Sequence, residues 1–282
     1  MISVTALILT HNEKENIGRT LSALPVVDEI VLVDSMSSDE TTSIALSVNP
    51  GIRMLARAFD SHTEQWNFGL DQVRTEWVLT LDADYELSSE LRDEIAALSP
   101  PGDVNGYTAA FIYRIFGHSL RGSSYPPRVV LFRVKEASYV DDGHTQTLHF
   151  YSASRELRPP SETAGIKTLS GKIYHDDRKP VSHWIQAQDR YAILEARHLV
   201  QSGKRKGESR GVAPSLSVQD RLRLKIFFAA PAMFLYLFFW RGLILDGWPG
   251  WFYVAQRTLA ELLLSIRLLT EKHRLEEEKA IR

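Results

Sequence analysis

Short runs almost free of charge alternate with helical patterns through the first hundred residues, and this alternation constrains the fold more than any other feature. The runs Val4–Thr10, Glu29–Asp34 and 77–81 are rich in Val, Ile and Leu, and Arg53–Ala56 is a weaker one. Between them, segments 15–24, 40–47 and 62–73 read as helices. Ile17, Leu21 and Leu24 recur at helical spacing, and Asp39 stands where a cap for the second helix belongs. Strands without a polar face are covered on both sides, and strand–helix alternation joins them into a parallel α/β sheet. Ligands of such sheets bind at the carboxyl ends of the strands. That rule selects residues 10–13, 34–37 and 82–84.

Beyond the Pro-Pro-Gly at 100–102 the texture changes. Strands are expected at 107–116, 129–133 and 170–174, a polar turn at 141–144, a helix over 184–200 and a loop over 202–207. With 44% hydrophobic and 24% charged residues, the 282-residue chain has the balance of a folded protein. Its formal net charge of -2 gives no support for bulk nucleic-acid binding. The absence of cysteine excludes disulfides, thiolate zinc sites and a cysteine nucleophile. The N-terminus runs straight into a core strand and reads as the start of a cytoplasmic domain.

The last third is different. Residues 226–240 carry no charge between Lys225 and Arg241. Trp248, Trp251, Phe252 and Tyr253 follow, then Leu259, Leu262, Leu263, Ile266 and Leu269 at helical spacing. A spanning helix needs roughly 20 apolar residues, so this run is short for a full crossing. Seven basic residues from Lys204 to Lys225, against Glu208 and Asp220, give the preceding segment a local charge of +5. Basic and aromatic flanks suit an anionic membrane surface. The expected plan is a catalytic domain over 1–200, a basic linker over 201–225 and a membrane-associating helical tail over 226–282. The competing reading of the tail is a buried hairpin or a homo-oligomer interface.

Asp82-Ala83-Asp84 is the sharpest chemical signal. At a strand end, residues i and i+2 project to one side, so both carboxylates can face one hard divalent cation such as Mg²⁺ or Mn²⁺. Taken alone, Asp-x-Asp is more often an ordinary turn; its place after an apolar strand moves the balance toward a ligand. Thr10, Asn12 and Glu13 after the first strand, with Asp34 and Ser35 after the second, can build one nucleoside pocket, although helix capping and turn formation account for them equally well. Neither G-x-G-x-x-G nor G-x-x-x-x-G-K-[ST] occurs, which argues against dinucleotide and P-loop sites.

His11-Asn12-Glu13 after a strand, the run from Val33 to Thr41, then Asn67 and Leu81-Asp82-Ala83-Asp84 together resemble glycosyltransferase family 2. The enzymes most similar in feel are those like bacterial lipopolysaccharide core glucosyltransferases. The resemblance implies a GT-A fold (Rossmann-like, with a mostly parallel sheet) and an inverting transfer from a nucleotide-sugar donor, usually a UDP-sugar, assisted by Mg²⁺ or Mn²⁺. It implies a glycan or lipid-linked acceptor at the cytoplasmic face of the membrane. It places Thr10, Asn12, Glu13, Asp34, Ser35, Asn67 and Asp82 in the donor site, and Asp82 and Asp84 at the metal. His175 resembles a downstream histidine brought to the metal or diphosphate. Arg121 and Arg128 could meet donor phosphate or an anionic acceptor. The general base falls in 140–145, with Asp142 favoured, then Asp141, then His144. Three positions depart from the common pattern: Ser35 replaces a second Asp, Met36 a Gly, and Tyr85 a Glu. The rival classes are a sugar-nucleotide nucleotidyltransferase, which would want a Gly-rich basic loop after the first strand, and a membrane-bound scaffold that binds nucleotide without turnover.

Overall fold

A computed structural model describes residues 2–142, 145–208 and 218–281. They form two compact units. One comprises the chain up to Ser119 with Ser123–Lys179, the other Leu120–Gly122 with the chain from Pro180 onward.

The first unit opens with β1 (Val4–Thr10), α1 (Ile17–Ser22), β2 (Glu29–Asp34), α2 (Thr41–Val48), β3 (Arg53–Ala56), α3 (His62–Gln72) and β4 (Trp77–Asp82). Its four strands are parallel in the order β3-β2-β1-β4. The side chains of β1, β2 and β4 are mostly buried on both faces, as the apolar runs require, whereas the weaker edge strand β3 is half-buried. Leu7, Val31, Val33 and Val78 pack with Trp66 and Leu70 of α3, whereas Ala6, Ile8, Leu32 and Leu79 pack with Ile17 and Leu21 of α1. Gly69 lets α3 lie close on β1, because a Cβ there would stand 2.8 Å from Leu7 Cδ1. Ser61 caps α3 by accepting from Glu64 N at 3.1 Å, worth about 1 kcal/mol. Asp39 acts one residue earlier than expected. Glu40 holds the cap position of α2, while the Asp39 carboxylate accepts from Thr41 N at 3.0 Å.

The chain continues through β5 (Tyr85–Leu87), α4 (Ser89–Ala96), β6 (Gly106–Ile115), β7 (His118–Ser119), β8 (Arg128–Arg133), β9 (Ala137–Asp142), β10 (Thr145–Tyr151), β11 (Leu157–Arg158) and β12 (Ile166–His175). The main sheet has the order β3-β2-β1-β4-β8-β6-β12-β5, with β7 paired to β6. β8 runs antiparallel to both neighbours, and β12 is parallel to β6 but antiparallel to β5. β9, β10 and β11 make a separate antiparallel sheet, so residues 141 and 142 end a strand of a hairpin instead of lying in a free turn.

The second unit is helical: α5 (Val181–Glu208), α6 (Val218–Arg223), α7 (Ala229–Leu235) with a π-helical turn Tyr236–Trp240, and α8 (Gly247–Ile281). The expected domain end at 200 falls inside α5. The division falls between Lys179 and Pro180, because α5 buries Ala192, Ala196 and Leu199 with Leu264 and Leu268 of α8. The expected loop over 202–207 and the start of the basic linker lie within α5. Arg223 joins the helices by donating to Glu261 at 2.8 and 3.1 Å and to Glu195 at 3.2 Å. Among the described residues no single helix is long and apolar enough to cross a membrane. Ala229–Trp240 and Leu243–Glu278 meet the test only together, bent by 69°. The bend is set by Gly242 and Gly247, both at positive φ, flanking a 3-10 turn.

Candidate donor and metal site

Register brings the functional strand ends level. Thr10 lies opposite Asp34, and Leu9 opposite Asp82. Thr10 donates from Oγ1 to Asp34 Oδ1 at 2.8 Å, and Ser37 donates to the same carboxylate from N at 2.8 Å and from Oγ at 2.6 Å. Asp34 is only 4% exposed, so three of its roughly four acceptor positions are filled internally. Its part is to shape the loop after β2. Asn12 locks that loop to the one after β1. At φ 53°, its N donates to Ser37 Oγ at 2.9 Å and its Oδ1 accepts from Ser38 N at 2.8 Å. His11 Nδ1 lies 2.9 Å from Ser35 O, and Ser35 N donates to Thr10 O. The Ser35 hydroxyl accepts from the buried Gln65 amide at 2.8 Å. Met36 stands at φ 60°, in the left-handed region, which explains why glycine suits this position.

On the other side of β1, the half-buried Asp82 and Asp84 alternate with the buried Ala83 and Tyr85, in keeping with two carboxylates on one side. Asp84 Oδ2 lies 3.0 Å from His175 Nε2. Strand β12 places that imidazole opposite Tyr85 of β5, with the rings of Tyr113, Tyr85 and Tyr125 at 4.4, 5.1 and 5.4 Å. Burial pulls the imidazole pKa down, but the neighbouring carboxylates, Asp84 first, override it and hold the pKa above the usual value. Burial likewise pushes Asp84 up, yet the adjacent His175 holds it below the ordinary carboxylate range. Buried His175 Nδ1 has no hydrogen-bond partner among the described residues.

The fold family implies a divalent cation here. Among the described residues no three His, Asp or Glu side chains converge into a complete chelate. Two carboxylates, Asp82 and Asp84, are at hand, while the His175 imidazole is turned through Nε2 onto Asp84 and leaves its buried Nδ1 unsatisfied. Mg²⁺ sites that use one or two carboxylates, with phosphate and water completing the shell, need no fuller protein cage.

Glu13 closes the donor end through a partner that no sequence pattern marks. Lys179 Nζ donates to Glu13 Oε1 at 2.5 Å, and Asn16 Nδ2 donates to Glu13 at 2.8 Å and to Asp177 at 2.9 Å. Burial raises the Glu13 pKa to about 7, against the opposing pull of Lys179. Lys179 also lies near enough to Asp84 to act on its charge, so a cation is held at the edge of the metal site. In sequence this lysine was one charge in the mixed run 175–179.

Other expected residues are placed differently. The Asn67 amide is occupied with structure. Its Nδ2 donates to Tyr139 O at 3.0 Å, and its Oδ1 accepts from Tyr139 N at 2.9 Å and Ser138 Oγ at 3.1 Å. Asp141 is exposed on β9, opposite Gln146. The side chain of Asp142 and the whole of His144 lie outside the described residues. Arg121 belongs with the second unit, where its N and Nε both donate to Asp246 at 2.9 Å. Arg128 begins β8 at the rim of a cavity of about 370 Å³ that Asp82 also lines.

The profile described as Glycosyl transferase family 2 matches residues 5–150. An uncharacterized glycosyltransferase of Rickettsia felis is 27% identical over 215 residues, 73% of each chain. The lipopolysaccharide core biosynthesis glycosyltransferase LpsC of Rhizobium meliloti is 26% identical over 253 residues, covering 88% of this chain and 85% of LpsC. Among solved structures, the mannosyltransferase PcManGT of Pyrobaculum calidifontis, in complex with GDP-Man and Mn²⁺, superposes with a TM-score of 0.52 at 14% identity, over 96% of this chain and 88% of its own. That likeness establishes a shared GT-A-type fold. With the profile covering both interlocked loops and the Asp82–Asp84 strand end, the chain belongs to glycosyl transferase family 2 and is a glycosyltransferase.

Proposed function

We propose that this glycosyltransferase moves a sugar, with inversion, from a nucleotide-sugar to a lipid-linked or cell-envelope glycan at the cytoplasmic face of a membrane. The observation that carries the donor half is the level meeting of Thr10, Asp34 and Asp82 at the carboxyl ends of β1, β2 and β4, beside Asp84 and His175. The interlocked loops of Asn12, Ser35 and Ser37 seat the nucleoside. Asp82, Asp84 and His175 would hold a Mg²⁺ or Mn²⁺ ion, whose chemistry is to neutralise the departing diphosphate. Glu13 holds Lys179 at that edge, where the ammonium can add to the neutralisation. A carboxylate at the end of β9, Asp142 or Asp141, takes the proton of the acceptor hydroxyl as it attacks. A UDP-sugar is the donor suggested by the sequence resemblance, while the GDP-Man complex of PcManGT supports a nucleotide-sugar in general.

The acceptor half rests on LpsC, named for lipopolysaccharide core biosynthesis, and on the second unit. Trp240 is 83% exposed, and Phe228, Leu245, Trp248 and Trp251 are exposed near it, a set that suits the headgroup region of a bilayer. The deciding experiment incubates the purified chain with UDP-sugars and GDP-mannose, with and without a glycolipid extract, and follows nucleotide release. Release that needs divalent metal and is stimulated by the extract is expected. Release of pyrophosphate instead would identify a nucleotidyltransferase, and tight nucleotide binding without turnover a scaffold.

A further inference from the structure

The cavity beside Asp82 lies on the opposite side of β4 from the nucleoside seat. The strand order places β1 and β2 on one flank of β4, and β8 and β6 on the other. The cavity opens on that second flank, among Trp66, Asp82, Tyr85, Phe111, Arg128 and Gln146. At about 370 Å³ it is at the small end of ligand sites, and it combines aromatic walls with a few polar groups.

Asp82 and Arg128 are its only formally charged described lining residues. Arg128 is exposed at the rim, with the Asp82 carboxylate and the Tyr125 and Tyr85 hydroxyls near enough to act on its charge. Its guanidinium lies 4.5 Å from the Tyr125 ring centroid. Stacking of this kind fixes the plane of an arginine while leaving its N–H edge available, the geometry that pairs with a planar oxyanion. Beneath it, the Tyr85 and Tyr125 hydroxyls are hydrogen-bonded to each other. Burial pushes Tyr125 up to about 12 and Tyr85 well above its ordinary value, so neither phenol adds negative charge to the wall.

We propose that this cavity is the acceptor subsite and that it takes an acidic sugar, whose carboxylate or phosphate is held by Arg128. The proposal rests on the glycosyl-transfer reading above, and of the two roles open to Arg128 in the sequence it selects the acceptor. The shared chemistry is an oxyanion on a sugar ring; the ring packs on the aromatic wall while the anion meets the guanidinium.

The test titrates the full chain, with and without UDP and Mg²⁺, with glucose, glucuronate, glucose 6-phosphate and inorganic phosphate, by calorimetry or ligand-observed NMR. At least one acidic sugar is expected to bind about tenfold or more tightly than glucose, the size of a charge-assisted hydrogen-bond gain. The arm that wins assigns carboxylate or phosphate. Arg128→Gln should bring the acidic sugars to the level of glucose, Arg128→Lys should retain part of the preference, and UDP affinity should be the same in all three proteins. Equal binding of glucose and both acidic sugars overturns the proposal. So does inorganic phosphate binding as tightly as the sugars, which would mean an anion site without a sugar subsite. Loss of UDP affinity in Arg128→Gln with the sugar order unchanged would return Arg128 to the donor diphosphate. Failure of wild-type UDP binding strikes the donor reading instead, and the sugar titrations without UDP still decide this one.

Discussion

The salt bridge between Glu13 and Lys179 ties the loop after β1 to the segment after β12, and its acidic partner titrates near neutrality. Because burial raises Glu13 from 4.5 to about 7, its contribution to stability is complete below about pH 4.5 and is lost as pH rises through about 7. Ligand binding follows the same proton. Below neutrality Glu13 is neutral, and the Lys179 charge is left for a diphosphate. UDP affinity is therefore expected to rise a few-fold from about pH 8 to about pH 6, and Glu13→Gln to flatten that slope in calorimetric titrations. A slope unchanged by Glu13→Gln would place the titrating group elsewhere. At the metal site, Asp84→Asn should lower turnover by about a hundredfold or more and also lower the melting temperature, since it leaves the buried His175 without its carboxylate, while circular dichroism well below melting stays near wild type. Activity indifferent both to this change and to EDTA would remove the metal from the reaction. Met36 offers a backbone test. Its φ of 60° costs about 1–2 kcal/mol that glycine avoids, less the entropy glycine loses on folding. Met36→Gly should stabilise the chain by about 0.5 kcal/mol in urea unfolding.

At the scale of elements, the parallel half of the sheet was legible because β1, β2 and β4 are apolar on both faces, a pattern few other settings produce. The limits of α1, α2 and α3 came within about two residues for the same reason: their buried stripes stop where the packing stops. The β9–β10 hairpin and the short β5 were not legible. Their pairings join residues whose exposed faces are polar, so the hydrogen-bond partner, and no local period, decides the structure. Asn67 shows the matching limit for a site residue. Family resemblance put it with the donor, whereas its three hydrogen bonds, two to the Tyr139 backbone and one to the Ser138 hydroxyl, fasten α3 to β9, a contact invisible until β9 is in place. Asn67→Ala should accordingly cost about 1–3 kcal/mol of stability, by leaving the polar groups around Tyr139 unpaired, with UDP affinity unchanged. A stable variant with weakened UDP binding would restore its donor role.

For the whole molecule, the apolar tail was conspicuous in sequence, but the extent of the helical unit was not. Helix α5 is amphipathic on its own, and only its packing against α8 reveals where it belongs. A chain ending near residue 200 would retain α5 without α8, exposing Ala192, Ala196 and Leu199, and is expected to aggregate. One ending at Lys179 should be the better-behaved fragment in size-exclusion chromatography. The full chain is expected to sediment with membranes, withstand a high-salt wash and be released by detergent. A detergent-free, soluble oligomer would assign the exposed Trp240, Trp248 and Trp251 to contacts between copies. The 69° bend gives the membrane case a mechanical character of its own. A helix pair kinked in this way and lodged in one leaflet adds cross-sectional area to that leaflet and none to the other, so it works as a wedge. Crowded on a surface, such wedges favour outward curvature of the leaflet they enter. The chain should therefore bind small, highly curved vesicles better than large, flat ones of the same lipids, and membrane shape would help decide where transfer takes place.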